Sequence, residues 1–170
     1  MDATPAELEI GIAGTERIDG LEPLWLALQR HHRAVSSVPV QPDDRLSWQV
    51  RRACYHRHIR SGDGFLVVAG QPGTEAGYAM VLVRSGPDDT YPFAGRFGEV
   101  VTLVVSPGAR GRGIGNRLLD AVDAELARRG IHDQIIAVMA GNAAAQRLYE
   151  RRGFAPGEVI LFRMGAARDA

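Results

Sequence analysis

The residues between Leu103 and Arg117 are the first place in this chain where type and spacing suggest chemistry. They read Leu-Val-Val-Ser-Pro-Gly-Ala-Arg-Gly-Arg-Gly-Ile-Gly-Asn-Arg, a β-branched run that passes through Ser106-Pro107 into alternating glycines and arginines. Glycine lets a ligand approach the backbone with no Cβ in the way. An apolar-periodic helix follows, whose first-turn N–H groups lack intrahelical partners and sit at the positive end of the macrodipole. That combination suits a phosphate or pyrophosphate. Arg110, Arg112 and Arg117 add three positive charges, and no Asp or Glu occurs between Glu99 and Asp120. Glycine-rich turns with arginines also occur as plain solvated loops, but the flanking strand and helix favour an anion site. A dinucleotide-binding version fits poorly, because the spacing is G-x-G-x-G and Asn116 stands where a further glycine would be.

The chain around this loop has 170 residues, 45% of them apolar, which suits one globular domain. Its twenty basic residues are all arginine and balance twenty carboxylates, giving zero net charge and a pI near 7.0. A neutral chain argues against a long polyanion as partner, so no nucleic acid is expected. The lack of lysine excludes a Schiff-base lysine and a phosphate-loop lysine. Cys54 is the lone cysteine, which excludes an intrachain disulfide and a Cys-rich zinc module. Met1-Asp2-Ala3-Thr4-Pro5 has neither the basic patch nor the apolar core of a signal peptide. No apolar run nears the ~18 residues that suggest a membrane span. The expectation is a cytoplasmic protein that does not engage a membrane.

The elements that must position the loop follow from periodicity. Leu8 to Ala13 reads as a first strand, and Leu21 to His32 and Asp43 to Arg60 read as helices with apolar residues three or four apart. Asp43 is placed to cap the second helix, and Ser61-Gly62 to end it. Phe65 to Ala69 and Gly77 to Arg84 form a hairpin around Gln71-Pro72-Gly73-Thr74. A polar connection runs from Ser85 to Arg96, and Phe97 to Ser106 is a β-branched strand stopped by Pro107. The helix after the glycine loop carries Ile114, Leu118, Leu119, Val122 and Leu126 on one face and closes at Gly130. A strand over Gln134–Met139, a helix from about Asn142 to Arg152 and a last strand near Val159–Met164 complete the chain. The reading is a single mixed α/β (α+β) domain over residues 1–170, with no linker to split it.

A second motif lies downstream of the loop. Asn142-Ala143-Ala144-Ala145-Gln146-Arg147-Leu148-Tyr149-Glu150-Arg151-Arg152-Gly153-Phe154 resembles the N-x-x-A-x-x-L-Y-x-x-x-G-F segment of the GNAT N-acetyltransferase superfamily. Arg110-Gly111-Arg112-Gly113-Ile114-Gly115 matches that family's Q/R-x-x-G-x-G/A motif, at the right separation. The resemblance covers roughly residues 97–164 and implies a central mixed, mostly antiparallel sheet of about six or seven strands flanked by about four helices. It also divides the domain by role: residues 97–164 form an acetyl-CoA-binding core, and residues 1–62 the acceptor side.

The resemblance implies acetyl transfer from acetyl-CoA to an amine, with acetyl-CoA as cosubstrate and no metal. The pyrophosphate is expected on Arg110, Gly111, Arg112, Gly113, Ile114 and Gly115. The pantetheine arm is expected to bond the backbone of Leu103, Val104 and Val105, whose side chains also read as core. A strand splayed open there leaves N–H and C=O groups free for ligand amides, and one N–H can polarise the thioester carbonyl.

Glu99 is the candidate base, four residues before Leu103, where several relatives place a glutamate that works through water; a solvent-facing strand-end carboxylate is the plainer reading. A second family position for such a glutamate holds Ala137. Tyr149 is the candidate donor to the leaving thiolate, against the plainer reading of a core aromatic. It lies two helical turns after Asn142, an expected N-cap that in the family also touches the cofactor. No residue offers an acyl-enzyme nucleophile, so direct transfer in a ternary complex is expected.

Other candidates carry less. Cys54 and His58 lie at i and i+4 but lack a third metal ligand. Trp25, His32, Trp48 and Tyr55 are open as acceptor contacts, and Ser85–Arg96, with Asp88, Asp89 and Tyr91, is a lid or a solvated loop. The acceptor, a small-molecule or protein amine, stays open, and dimerisation is common in this fold. A non-catalytic acyl-CoA-binding module is the main rival, and a nucleotide-binding oxidoreductase the lesser one.

Overall fold

The β-branched and aromatic residues of the middle of the chain build one sheet. The computed structural model describes residues 8–86, 89–93 and 95–165. Strands β1 (Ile10–Ala13), β2 (Gly64–Ala69), β3 (Gly77–Ser85) and β4 (Arg96–Val105) pair antiparallel in that order, and β5 (Asp133–Ile136) lies parallel to β4. The helices are α1 (Glu22–Val35), α2 (Asp44–Ser61), α3 (Ile114–Arg128) and α4 (Ala143–Arg151). Asp43 caps α2 as expected, its side chain accepting from the Leu46 N–H at 3.0 Å, and Gly62 ends the helix with φ of 80°.

Period-two alternation sorts the central strands between two cores. Leu66, Val68, Tyr78, Met80 and Leu82 face α1 and α2, where they pack with Leu24, Trp25, Trp48 and Tyr55. Phe65, Val67, Ala69, Ala79 and Val81 face α3 and its buried stripe of Ile114, Leu118, Val122 and Leu126. Both faces of β2 are covered, so its six residues are all buried. Trp25, Trp48 and Tyr55 are therefore core residues.

The sheet has five strands among the described residues, fewer than the six or seven expected. Residues Val159–Met164 are irregular, and Val159 and Leu161 are 87% and 89% exposed. Their apolar, β-branched composition reads as a strand, but among the described residues no strand pairs with them, and an unpaired segment has no ladder to hold it. The strand expected over Gln134–Met139 stops at Ile136, where its pairing to β4 ends. Asp88 of the Ser85–Arg96 connection and Met1–Pro5 lie outside the described residues.

Candidate active site

The site begins with one extra residue in β4. Met80 pairs with Thr102 and Val81 with Val100, so Val101 is a β-bulge. Pairing to β5 ends at the same point, with Val100 opposite Ile136. Beyond it the two strands diverge, and among the described residues no strand pairs with the β5-side edge of β4 from Val101 onward. Thr102 is fixed just past the bulge by buried hydroxyls: Tyr55 Oη lies 2.6 Å from Thr102 Oγ1 and 3.2 Å from Tyr78 Oη. Along the chain this cluster shows only as hydroxyls at apolar-strand positions.

Between the diverging strands lies a cavity of about 100 Å³. One wall is β4 from Val100 to Leu103, and the opposite wall is Ile136 to Met139. Asn142, Ala145 and Tyr149 of α4 close one side, and Leu28 and His32 of α1 another. Leu103 lines the cavity, and Val104 is a buried core residue, as its side chain was expected to be. Asn142 is the expected N-cap, its Oδ1 accepting from the Ala145 N–H at 3.2 Å. Gly141 brings α1 and α4 together: a Cβ there would sit 2.1 Å from the Val35 carbonyl oxygen.

Tyr149 is buried, its ring 6.1 Å from Phe154, and no described residue hydrogen-bonds its hydroxyl. Burial pushes its phenol up to about 12. His32 is half-buried in the last turn of α1, and its imidazole is held below the ordinary value, first by burial and then by the charges of His31 and Arg51. Glu99 does not line the cavity. Its Oε2 accepts from Arg84 Nε at 2.6 Å across the β3–β4 pair. Of the four open acceptor contacts, His32 alone reaches the cavity, and its i, i+4 spacing from Leu28 was the available signal.

The glycine loop follows the C-terminal end of β4 and leads into α3. Gly111 and Gly113 take φ of 76° and 74°, a backbone that favours glycine, and a Cβ at either would meet nothing within 4 Å. No side chain caps the first turn of α3, so its N–H groups stay available to a ligand. Arg110, Arg112 and Arg117 are exposed and, among the described residues, unpaired with any carboxylate. Arg110 Nε reaches the Val105 carbonyl at 3.4 Å, and Arg117 Nη2 the Leu8 carbonyl at 2.8 Å. Among the described residues no three His, Cys, Asp or Glu side chains are grouped to hold a metal ion.

The model of the acetyltransferase (GNAT) family matches residues 25–154, a span that holds the bulge, the loop and every wall of the cavity. The chain belongs to the GNAT family. This GNAT protein is 33% identical over 105 residues to the L-methionine sulfoximine/L-methionine sulfone acetyltransferase of Pseudomonas aeruginosa, covering 61% of this chain and 58% of the relative. It is 39% identical over 132 residues to the mycothiol acetyltransferase of Salinispora arenicola, covering 77% of this chain and 40% of that one. The GNAT chain thus spans less than two thirds of the length of either relative. A Clostridium acetobutylicum acetyltransferase solved with acetyl-CoA shares its fold, with a TM-score of 0.70 at 17% identity over 92% of this chain and 96% of that one.

Proposed function

We propose that this protein transfers an acetyl group from acetyl-CoA to an amine by direct attack in a ternary complex. The observation that carries the reading is the bulge at Val101, which ends the β4–β5 pairing and leaves strand backbone free beside Tyr149. An extended ligand with amide groups can complete that edge as a further strand would, and a backbone N–H there can take up charge developing on a thioester oxygen. The pyrophosphate belongs on the loop from Arg110 to Gly115, where uncapped N–H groups, the α3 dipole and three arginines act together. Tyr149 then faces the leaving sulfur, and Asn142 fixes the start of α4 behind it. The acceptor is a small amine: one relative is named for L-methionine sulfoximine and L-methionine sulfone, and among the described residues the cavity lining carries no carboxylate to hold a large cationic substrate.

Two measurements test this. Acetyl-CoA should raise the melting temperature, while NAD should not. A panel of amino acids, L-methionine sulfone, polyamines, aminoglycosides and peptides, assayed by release of free thiol, should show turnover with at least one amine. Stabilisation by NAD alone, or binding of acetyl-CoA without thiol release for any amine, would remove the enzymatic reading.

A further inference from the structure

Among the described residues, two titratable side chains line the cavity, His32 and Tyr149. Ala137 stands on the β5 side, and the Glu99 carboxylate is held by Arg84 outside the lining. An amine that attacks a thioester must lose a proton as the N–C bond forms. We propose that His32 is the catalytic base that takes this proton from the acceptor nitrogen, an inference that rests on the acyltransferase reading above.

Placement is the first support. His32 sits in the last turn of α1 and lines the same cavity as Val100–Leu103 of β4 and Tyr149 of α4. That turn is seated firmly, because the Val35 carbonyl lies against Gly141 and leaves no room there for a side chain. Among the described residues nothing hydrogen-bonds the imidazole, so its free nitrogen is available to a substrate.

Protonation state is the second. The groups that bear on His32 are His31 on its own helix, Arg51 on α2 and Tyr149 on α4; β4 and the segment after β5 contribute no titratable side chain to the lining. Burial, His31 and Arg51 all favour the neutral imidazole, which accepts protons at neutral pH. Tyr149, pushed up to about 12, stays protonated and donates. Two groups driven apart in this way across one cavity divide the base and donor roles between them.

The step balances without a further reactant. The amine reacts in its uncharged form, since its lone pair is the nucleophile, and among the described residues no carboxylate in the lining would hold an ammonium. Its lone pair forms the N–C bond at the thioester carbonyl, His32 takes one N–H proton, and the C–S bond breaks. The thiolate leaves against the Tyr149 O–H, and the proton on His32 passes to the sulfur directly or through solvent. Weakly basic amines, such as an α-amine with a pKa of about 8, are favoured over alkylamines at about 10.4, since more of each is uncharged at pH 7.

The experiment compares the full wild-type chain with His32→Gln, using the best acceptor of the amine panel. His32→Gln should lower kcat about 100-fold while KM for acetyl-CoA stays within about twofold. The wild-type acidic limb of kcat, placed below the ordinary imidazole value, should vanish in the variant. Retained melting-point elevation by acetyl-CoA shows that the variant is folded. If it does not fold, titration of the His32 ring by NMR in the wild type replaces it, and a ring pKa that disagrees with the kinetic limb overturns the proposal. Wild-type kcat in His32→Gln, or an unchanged acidic limb, would also overturn it while leaving the acyltransferase reading intact. Absence of thiol release in the wild type would instead remove both.

Discussion

Under the proposed acetyl transfer, replacing Tyr149 by Phe isolates what one hydroxyl would contribute to departure of the thiolate. The phenol is pushed up to about 12 by burial, against a thiol value of about 8.5, so full proton transfer to the sulfur is uphill by roughly 5 kcal/mol. The hydroxyl therefore acts as a hydrogen-bond donor to the departing charge more than as a source of a proton. A hydrogen bond to a charged partner is worth about 1.5–3 kcal/mol, so Tyr149→Phe should lower kcat roughly 10- to 150-fold. KM for acetyl-CoA should change little, because the bond strengthens only as the C–S bond breaks. No described residue depends on that hydroxyl, so stability should stay within about 0.5 kcal/mol of wild type. Steady-state thiol release at saturating acetyl-CoA, with a thermal melt beside it, measures both quantities. Wild-type kcat in the variant, or a melting temperature lowered by several degrees, would show that Tyr149 is a core aromatic and that the donor argument is wrong.

Glu99→Gln should leave kcat within about threefold and lose at most the ~1 kcal/mol of an exposed ion pair with Arg84; a 100-fold loss of kcat would return the base role to Glu99. Gly98→Ala would bring a Cβ within 2.7 Å of Leu126 Cδ1, a fully buried side chain with little room to turn. Such overpacking costs about 1–3 kcal/mol, so a thermal melt should show a loss of roughly 2–12 °C, and an unchanged melting temperature would contradict the packing. Glu125 is buried and held down to about 2, chiefly by its hydrogen bond from Arg128 and then by Arg129, against an ordinary value of 4.5. Its folded pKa is depressed, so its stabilisation is present above pH 4.5 and lost as pH falls towards 2; urea midpoints between pH 5 and 3 should fall less steeply in Glu125→Gln than in wild type.

The glycine–arginine loop, the N-cap at Asn142 and the position of Tyr149 were legible because each depends on local chemistry: a left-handed φ, an orphan N–H, a helical repeat. The helices were legible too, to within a turn at their ends. The sixth strand was not, since Val159–Met164 has strand composition and strandedness needs a partner that composition does not reveal. Glu99 shows a second limit. Its position four residues before Leu103 suggested the base, but the pairing register sets it diagonal to Arg84 on β3, a relation invisible along the chain. His32 shows the converse: an unremarkable helix-end histidine acquires its surroundings from β4, the β5 side and α4, all more than sixty residues away in sequence.

The bulge at Val101 also sets how this strand can tolerate change in length. Gly98 and Val100 lie on the α3 side, whereas Thr102 and Val104 pack towards α2, so β4 changes its frame of alternation part-way along. Deleting Val101 would place Thr102 directly after Val100 and leave every later side chain on its present face, but it would remove the extra residue at which pairing to β5 ends. A point substitution at Val101 alters one side chain, but a one-codon deletion would make β4 a regular strand with no irregularity at that point. Insertions and deletions should thus be borne far better in the Ser85–Arg96 connection than at this one position, where the count of residues, and not their chemistry, keeps the sheet open.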